Sequence, residues 1–200
     1  MCGRFSLEAG VDELLERYNA VPGDNLSWNP AMEIYPTEQI PVIIRDVENK
    51  LGLLKWGLRL PQGKKPVINA RVETLEQKRM FRRAFWGRRC LVPADAFFEW
   101  KQEGGSKVKY RISRRKGGLF SMAGLYERFP GDDGSNRWGV VIITAPSRGE
   151  VDAIHHRMPV IIEKDWEDYW LLENPGNETE DFKEKLLSQL APEELRIEPC

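Results

Sequence analysis

Leu119–Phe129 reads LFSMAGLYERF, and after eight residues comes Trp138–Thr144, WGVVIIT. Both runs read as strands, and the residues between them include Gly131 and Gly134 among polar neighbours, so the two are expected to reverse and pair antiparallel. Working outward, strand-like runs also occupy Pro41–Val47, Leu51–Leu58, Lys109–Ser113 and Pro159–Ile162, mostly joined by short polar or Gly-containing turns. Ala96-Phe97-Phe98-Glu99-Trp100 adds an aromatic strand after the turn at Pro93-Ala94-Asp95. Helical spacing appears at Leu7, Val11, Leu14, Leu15 and Tyr18, with Ser6 as the expected N-cap, then over Glu73–Phe85, Asp165–Leu172 and after Thr179. The expected class is α+β: one domain over 1–200, with a mainly antiparallel, barrel-like β core and flanking helices. An acidic helical C-terminal segment is expected at about 163–200.

Charge is unevenly spread. The whole chain carries a net charge of −1, but residues 163–200 hold 12 acidic and 4 basic groups, which leaves 19 acidic and 26 basic groups in 1–162. Six basic residues between Lys78 and Arg89 surround Phe81, Phe85 and Trp86, and a second basic run spans Lys107 to Lys116. Cations interleaved with aromatics can hold a nucleic-acid backbone and stack bases, although a solvated charged face has the same composition. Three widely spaced cysteines, Cys2, Cys90 and Cys200, and the two histidines His155 and His156 offer neither a disulfide framework nor a structural zinc site. No cofactor or metal is expected. Charges throughout the first twenty residues leave no signal-peptide core, and no stretch is apolar enough to span a bilayer, so a cytoplasmic chain without a membrane partner is expected.

Cys2 stands out chemically. Removal of Met1 would give one residue both a thiol and a free α-amine, and an aldehyde meeting that pair can form an imine and then close a five-membered thiazolidine ring. Glu99, within aromatics, is a candidate proton donor and acceptor whose pKa burial would raise. His155 is the favoured member of the His155-His156 pair for proton transfer near neutrality. Asn69, Arg71 and Glu73 alternate, so in an extended segment an amide able to orient a nucleophile and a guanidinium able to fork onto phosphate share a side, unless they form a polar cap for the next helix.

Seven ordered motifs, Met1-Cys2-Gly3-Arg4, Trp56-Gly57-Leu58, Ile68–Thr74 (INARVET), Arg89–Pro93 (RCLVP), Phe98-Glu99-Trp100, Ala123–Tyr126 (AGLY) and His155–Pro159 (HHRMP), resemble the SOS response-associated peptidase family. The resemblance implies a mature N-terminal cysteine that crosslinks to abasic sites in single-stranded DNA and shields the lesion. By motif, it implies Cys2 as nucleophile, Asn69 as the positioning amide, Glu99 as acid and base in sugar ring opening, and His155 as an aid to imine chemistry. Arg4 and Arg71 would hold phosphates beside the lesion, and Arg82 and Trp56 complete the set expected against DNA. A monomer, nucleoid-associated when bound, is expected. Where many members have an Asn, this chain has Glu33, a carboxylate that would repel phosphate. Two other readings follow from the same residues: a thiol peptidase using Cys2 and His155, and a noncatalytic reader of modified DNA bases for which Cys2 is dispensable.

Overall fold

The computed structural model describes residues 2–59, 65–130, 135–172, 182, 186 and 194–200. Its strands are β1 (Phe5–Leu7), β2 (Ala20–Pro22), β3 (Ala31–Ile34), β4 (Gln39–Arg45), β5 (Asn49–Trp56), β6 (Asn69–Arg71) and β7 (Arg89–Ala94). These are followed by β8 (Ala96–Glu103), β9 (Ser106–Arg114), β10 (Phe120–Pro130), β11 (Asn136–Pro146), β12 (Arg157–Pro159), β13 (Ile161–Ile162) and β14 (Leu195–Pro199). Helices α1 (Val11–Tyr18), α2 (Arg79–Gly87) and α3 (Lys164–Leu171) flank them, so the class is α+β as expected.

One sheet runs β14-β9-β8-β1-β3; the other runs β12-β11-β10-β7-β4-β5-β2, with β6 on β11 and β13 on β10. In the larger sheet β11 also pairs with β5, which closes β11-β10-β7-β4-β5 into a five-stranded barrel. An odd ring cannot alternate direction all the way round, so one contact has to be parallel. That contact is β5 against β11, at Gly139↔Lys55 and Val140↔Trp56. Closure removes exposed edges from the strands that carry the core. The interior holds Val42, Val92, Met122, Val140 and Ile142, while Leu51 and Leu91 point from the opposite face of the wall, and all are inaccessible to solvent.

Two glycines let the barrel pack. Gly124 lies opposite Cys90 across β10 and β7, and a Cβ there would sit 2.7 Å from the Cys90 sulfur. Gly57 ends β5 with φ +116°, a conformation open to glycine, and lets the chain leave the barrel wall. The excursion is pinched shut by a bridge between Leu58 and Val67, and the chain returns as β6 along the next stretch of the same β11 edge. This return sets the position of Asn69.

Several expected elements differ. Ser6 and Leu7 belong to β1, wedged between β3 and β8, and α1 starts only at Val11 after Gly10, because sheet pairing outweighs the local helix signal. The expected helix over Glu73–Phe85 is a 3-10 turn at Val72–Thr74 followed by α2. The chain end is not wholly helical: Leu195–Pro199 forms β14 and completes an edge beside β9. The helix expected after Thr179 lies largely outside the described residues.

The basic runs divide between buried, ion-paired and exposed residues. In α2 the aromatics Phe81 and Phe85 point into the core while Arg82 and Arg83 stay exposed. Arg89 is buried and donates to the carbonyls of Phe85, Trp170 and Leu172, tying the end of α2 to α3. Along β9, Arg111 pairs with Asp95, Arg114 with Glu163 and Lys109 with Glu33, so much of this charge is already met by acidic partners. Among the described residues no helix is long and apolar enough to cross a membrane.

Candidate active site

The start of the chain is a built element. Arg4 accepts a hydrogen bond on its carbonyl from the Phe98 N–H at 2.9 Å, extending the β1–β8 ladder one step beyond Phe5↔Phe97 and bringing Cys2 beside the middle of β8. Cys2 is fully enclosed. Its carbonyl accepts a hydrogen bond from Asn69 Nδ2 at 2.8 Å, so β6, hung on the barrel wall, grips the N-terminal residue. Asn69 Oδ1 is buried and has no partner among the described residues. Burial, reinforced by the nearby Glu99 carboxylate, pushes the Cys2 thiol far above the usual thiol range.

Glu99, on β8, is 3% exposed, and burial raises its pKa from the ordinary carboxylate range. Its Oε1 lies 3.9 Å from His155 Nδ1. That separation exceeds a hydrogen bond but suits proton transfer after a small shift or through one water. His155 Nδ1 lies 3.0 Å from the Arg157 backbone nitrogen and 3.1 Å from its carbonyl oxygen, so this nitrogen accepts from the one or donates to the other according to the tautomer. Burial lowers the His155 pKa, so the neutral form prevails near neutral pH. The ring stacks on His156 with centroids 4.4 Å apart, and the charge of His155 in turn lowers the His156 pKa.

Cys2, Asn69, Glu99 and His155 therefore converge from four separated segments. Arg71, two residues beyond Asn69 at the end of β6, is exposed. Arg4 makes an ion pair with Glu33 at 2.6 Å. The remaining two expected residues are placed elsewhere. Trp56 is fully buried, donates from Nε1 to the Ile68 carbonyl at 3.1 Å and packs edge-on against Phe5. Its ring is a core strut and offers no face to a base, which corrects the expectation of DNA stacking there. Arg82 stands on the solvent face of α2, whose other face packs on β10 and β7, and it is not among the groups around Cys2.

One positioning pair escaped the sequence reading. Arg157 is buried and holds Glu73 with both terminal nitrogens while one of them also donates to the Thr144 carbonyl at 2.6 Å. This fork fastens the turn after Asn69 to the strand after His155, and the Arg157 guanidinium beside Glu73 lowers that carboxyl's pKa. Both residues lie inside the quoted motifs, but nothing local in either motif pairs them. Among the described residues no cluster of three or more His, Cys, Asp or Glu could hold a metal ion.

Comparison with known proteins identifies the family and the fold. The family model described as SOS response associated peptidase (SRAP) matches residues 1–200. The chain is 38% identical over 197 residues, 94% of its own length and 86% of the other's, to the abasic site processing protein YoqW of Bacillus subtilis (strain 168). It is 33% identical over 191 residues, 86% of this chain and 79% of the other, to the abasic site processing protein YedK of Escherichia coli (strain K12). A crystal structure of a Bacteroides thetaiotaomicron protein superposes with a TM-score of 0.85 at 26% identity, covering 99% of this chain and 91% of that one.

Proposed function

The chain belongs to the SOS response associated peptidase family, and from that membership we propose that it processes abasic sites in DNA by bonding covalently to the lesion through Cys2. The observation that carries this reading is the convergence of an enclosed cysteine at position 2 with an amide, a buried carboxyl and a neutral imidazole. Relatives named as abasic site processing proteins support the substrate.

The chemistry begins once Met1 has been removed and Cys2 carries a free α-amine. An abasic sugar is mostly a closed hemiacetal, so its aldehyde must first be released: Glu99 protonates the ring oxygen and the anomeric hydroxyl gives up its proton, with His155 in reach as acceptor. The amine nitrogen then attacks the aldehyde carbon, and loss of water leaves an imine. The Cys2 sulfur adds to the imine carbon, its proton passes to the nitrogen, and a thiazolidine ring closes. Because burial holds the thiol protonated, the amine acts first and the sulfur follows within the same residue. Intramolecular closure of this kind corresponds to effective concentrations on the order of 10⁵ M or more. Asn69 holds the Cys2 backbone still, and its buried Oδ1, without a partner among the described residues, would accept from the new amine. Arg4 and Arg71 hold flanking phosphates.

Single-stranded DNA is the preferred partner, since an enclosed nucleophile needs the lesion drawn out of any stack. One copy of the chain supplies every residue invoked, so the protein acts as a monomer, in the cytoplasm and on the nucleoid when bound. Loss of the C2′ proton from the imine before ring closure would expel the 3′ phosphate by β-elimination, a lyase-like outcome, whereas a peptidase-like one would require Cys2 to attack an amide carbonyl. The test is an oligonucleotide with one abasic site: wild-type protein yields a denaturant-resistant adduct and Cys2→Ala does not. Equal yields from both would refute the proposal.

A further inference from the structure

The surroundings of Glu33 give this carboxylate a purpose. Two cations from different parts of the fold, Arg4 just before β1 and Lys109 on β9, meet on its carboxylate. Arg4 Nη1 donates to Oε2 at 2.6 Å, Lys109 Nζ donates to Oε1, and the Tyr35 hydroxyl adds a bond to Oε2 at 3.1 Å. Aromatic rings steady both cations: Arg4 Cζ lies 3.7 Å from the Tyr35 centroid and 5.5 Å from that of Trp100, and Lys109 Nζ lies 4.2 Å from that of Phe98. Arg4 Nε is buried with no partner among the described residues, so the guanidinium is using only part of its fork. Two cations and an unused donor around one carboxylate make a cradle suited to a larger anion with more oxygens.

We propose that Glu33 is a built-in stand-in for a DNA phosphate: it holds Arg4 and Lys109 together, and an incoming backbone phosphate displaces it. Lys109 thereby becomes a DNA contact, and Glu33 sets how tightly the chain grips the strand beside the lesion. Arg4 is two residues from Cys2, so the phosphate concerned belongs to the strand beside the lesion. Displacement requires no bond making or breaking, only exchange of one anion for another. The identity of the partner rests on the crosslinking reading; the exchange itself concerns binding alone.

The two can be tested separately. Binding is measured with an intact single-stranded oligonucleotide over a salt series, and adduct formation with the same sequence carrying one abasic site, for wild type, Glu33→Gln, Lys109→Gln and the double variant. Glu33 is partly exposed, so the amide variant should fold, which melting confirms. The proposal expects Glu33→Gln to bind about three- to tenfold tighter at low salt. The slope of log affinity against log salt should steepen by about 0.7 for each further phosphate engaged. Lys109→Gln should cancel that gain in the double variant. Adduct formation should need less DNA to saturate while its saturated rate stays unchanged. Unchanged or weaker binding by Glu33→Gln, or a gain indifferent to Lys109, would overturn the proposal. Absence of any adduct from wild type would instead overturn the crosslinking reading, whatever the binding series gives.

Discussion

Asn69→Asp replaces a hydrogen-bond donor by an acceptor at almost constant volume, and it does so at the point where β6 grips Cys2. With Asn69 Nδ2 2.8 Å from the Cys2 carbonyl oxygen, the aspartate would set oxygen against oxygen and leave a buried carbonyl unsatisfied. Losing such a partner costs about 1–3 kcal/mol. If that energy is what holds the nucleophile in place, adduct formation slows by roughly tenfold to a hundredfold. Lowering the pH should restore part of the rate, because the introduced carboxyl can donate again once it is protonated, whereas Asn69→Ala should be slow at every pH. Single-turnover mixing with an abasic oligonucleotide over a pH series reads both effects. A wild-type rate for Asn69→Ala, or an aspartate variant with the wild-type pH profile, would show that the Asn69 contact does not position the nucleophile.

Three further outcomes follow from particular contacts. Glu99 titrates higher in the folded than in the unfolded chain, so the folded state binds the extra proton between the two values and stability falls as pH rises through that window. Glu99→Gln should therefore melt higher than wild type at about pH 8, lose that advantage near about pH 4, and form adduct poorly throughout. Arg17→Ala removes the fork that meets Glu167 at 2.8 and 2.9 Å and strands a carboxylate whose remaining partner is the Ser121 hydroxyl; urea unfolding should show a loss of about 3 kcal/mol. Gly124→Ala drives a methyl to 2.7 Å from the Cys90 sulfur and should cost about 1–3 kcal/mol, and adding Cys90→Ala should recover part of it, a coupling that a double-mutant cycle in denaturant detects.

The contact between Gly124 and Cys90 also shows what kind of information the motifs held. Ala123–Tyr126 and Arg89–Pro93 are cross-strand neighbours with register Gly124↔Cys90, so these two motifs record barrel packing, not chemistry. The apolar runs Leu119–Phe129 and Trp138–Thr144 were legible because both faces of Phe120–Leu125 and Gly139–Thr144 are buried. β1, β6 and β12 were not, being three residues each and held by partners distant in sequence. Of the site, Cys2, Asn69, Glu99 and His155 were visible as residue types, and the fold brings them together. The fork from Arg157 to Glu73 and the embrace of Glu33 by Arg4 and Lys109 were invisible, since each joins segments whose separation in space no local pattern encodes. Trp56 misled for the reverse reason: a tryptophan in a short motif does not reveal which way its ring faces, and here it faces the core.

Crosslinking through Cys2 leaves the lesion's aldehyde carbon bonded to both nucleophiles of that residue. Intact mass measurement of the purified conjugate, made without any reducing agent, addresses it most directly. The predicted mass is that of the chain lacking Met1 plus the abasic oligonucleotide less one water, with fragmentation placing the bond on the first residue. A conjugate that retains Met1, or one bonded at any residue other than Cys2, would contradict it.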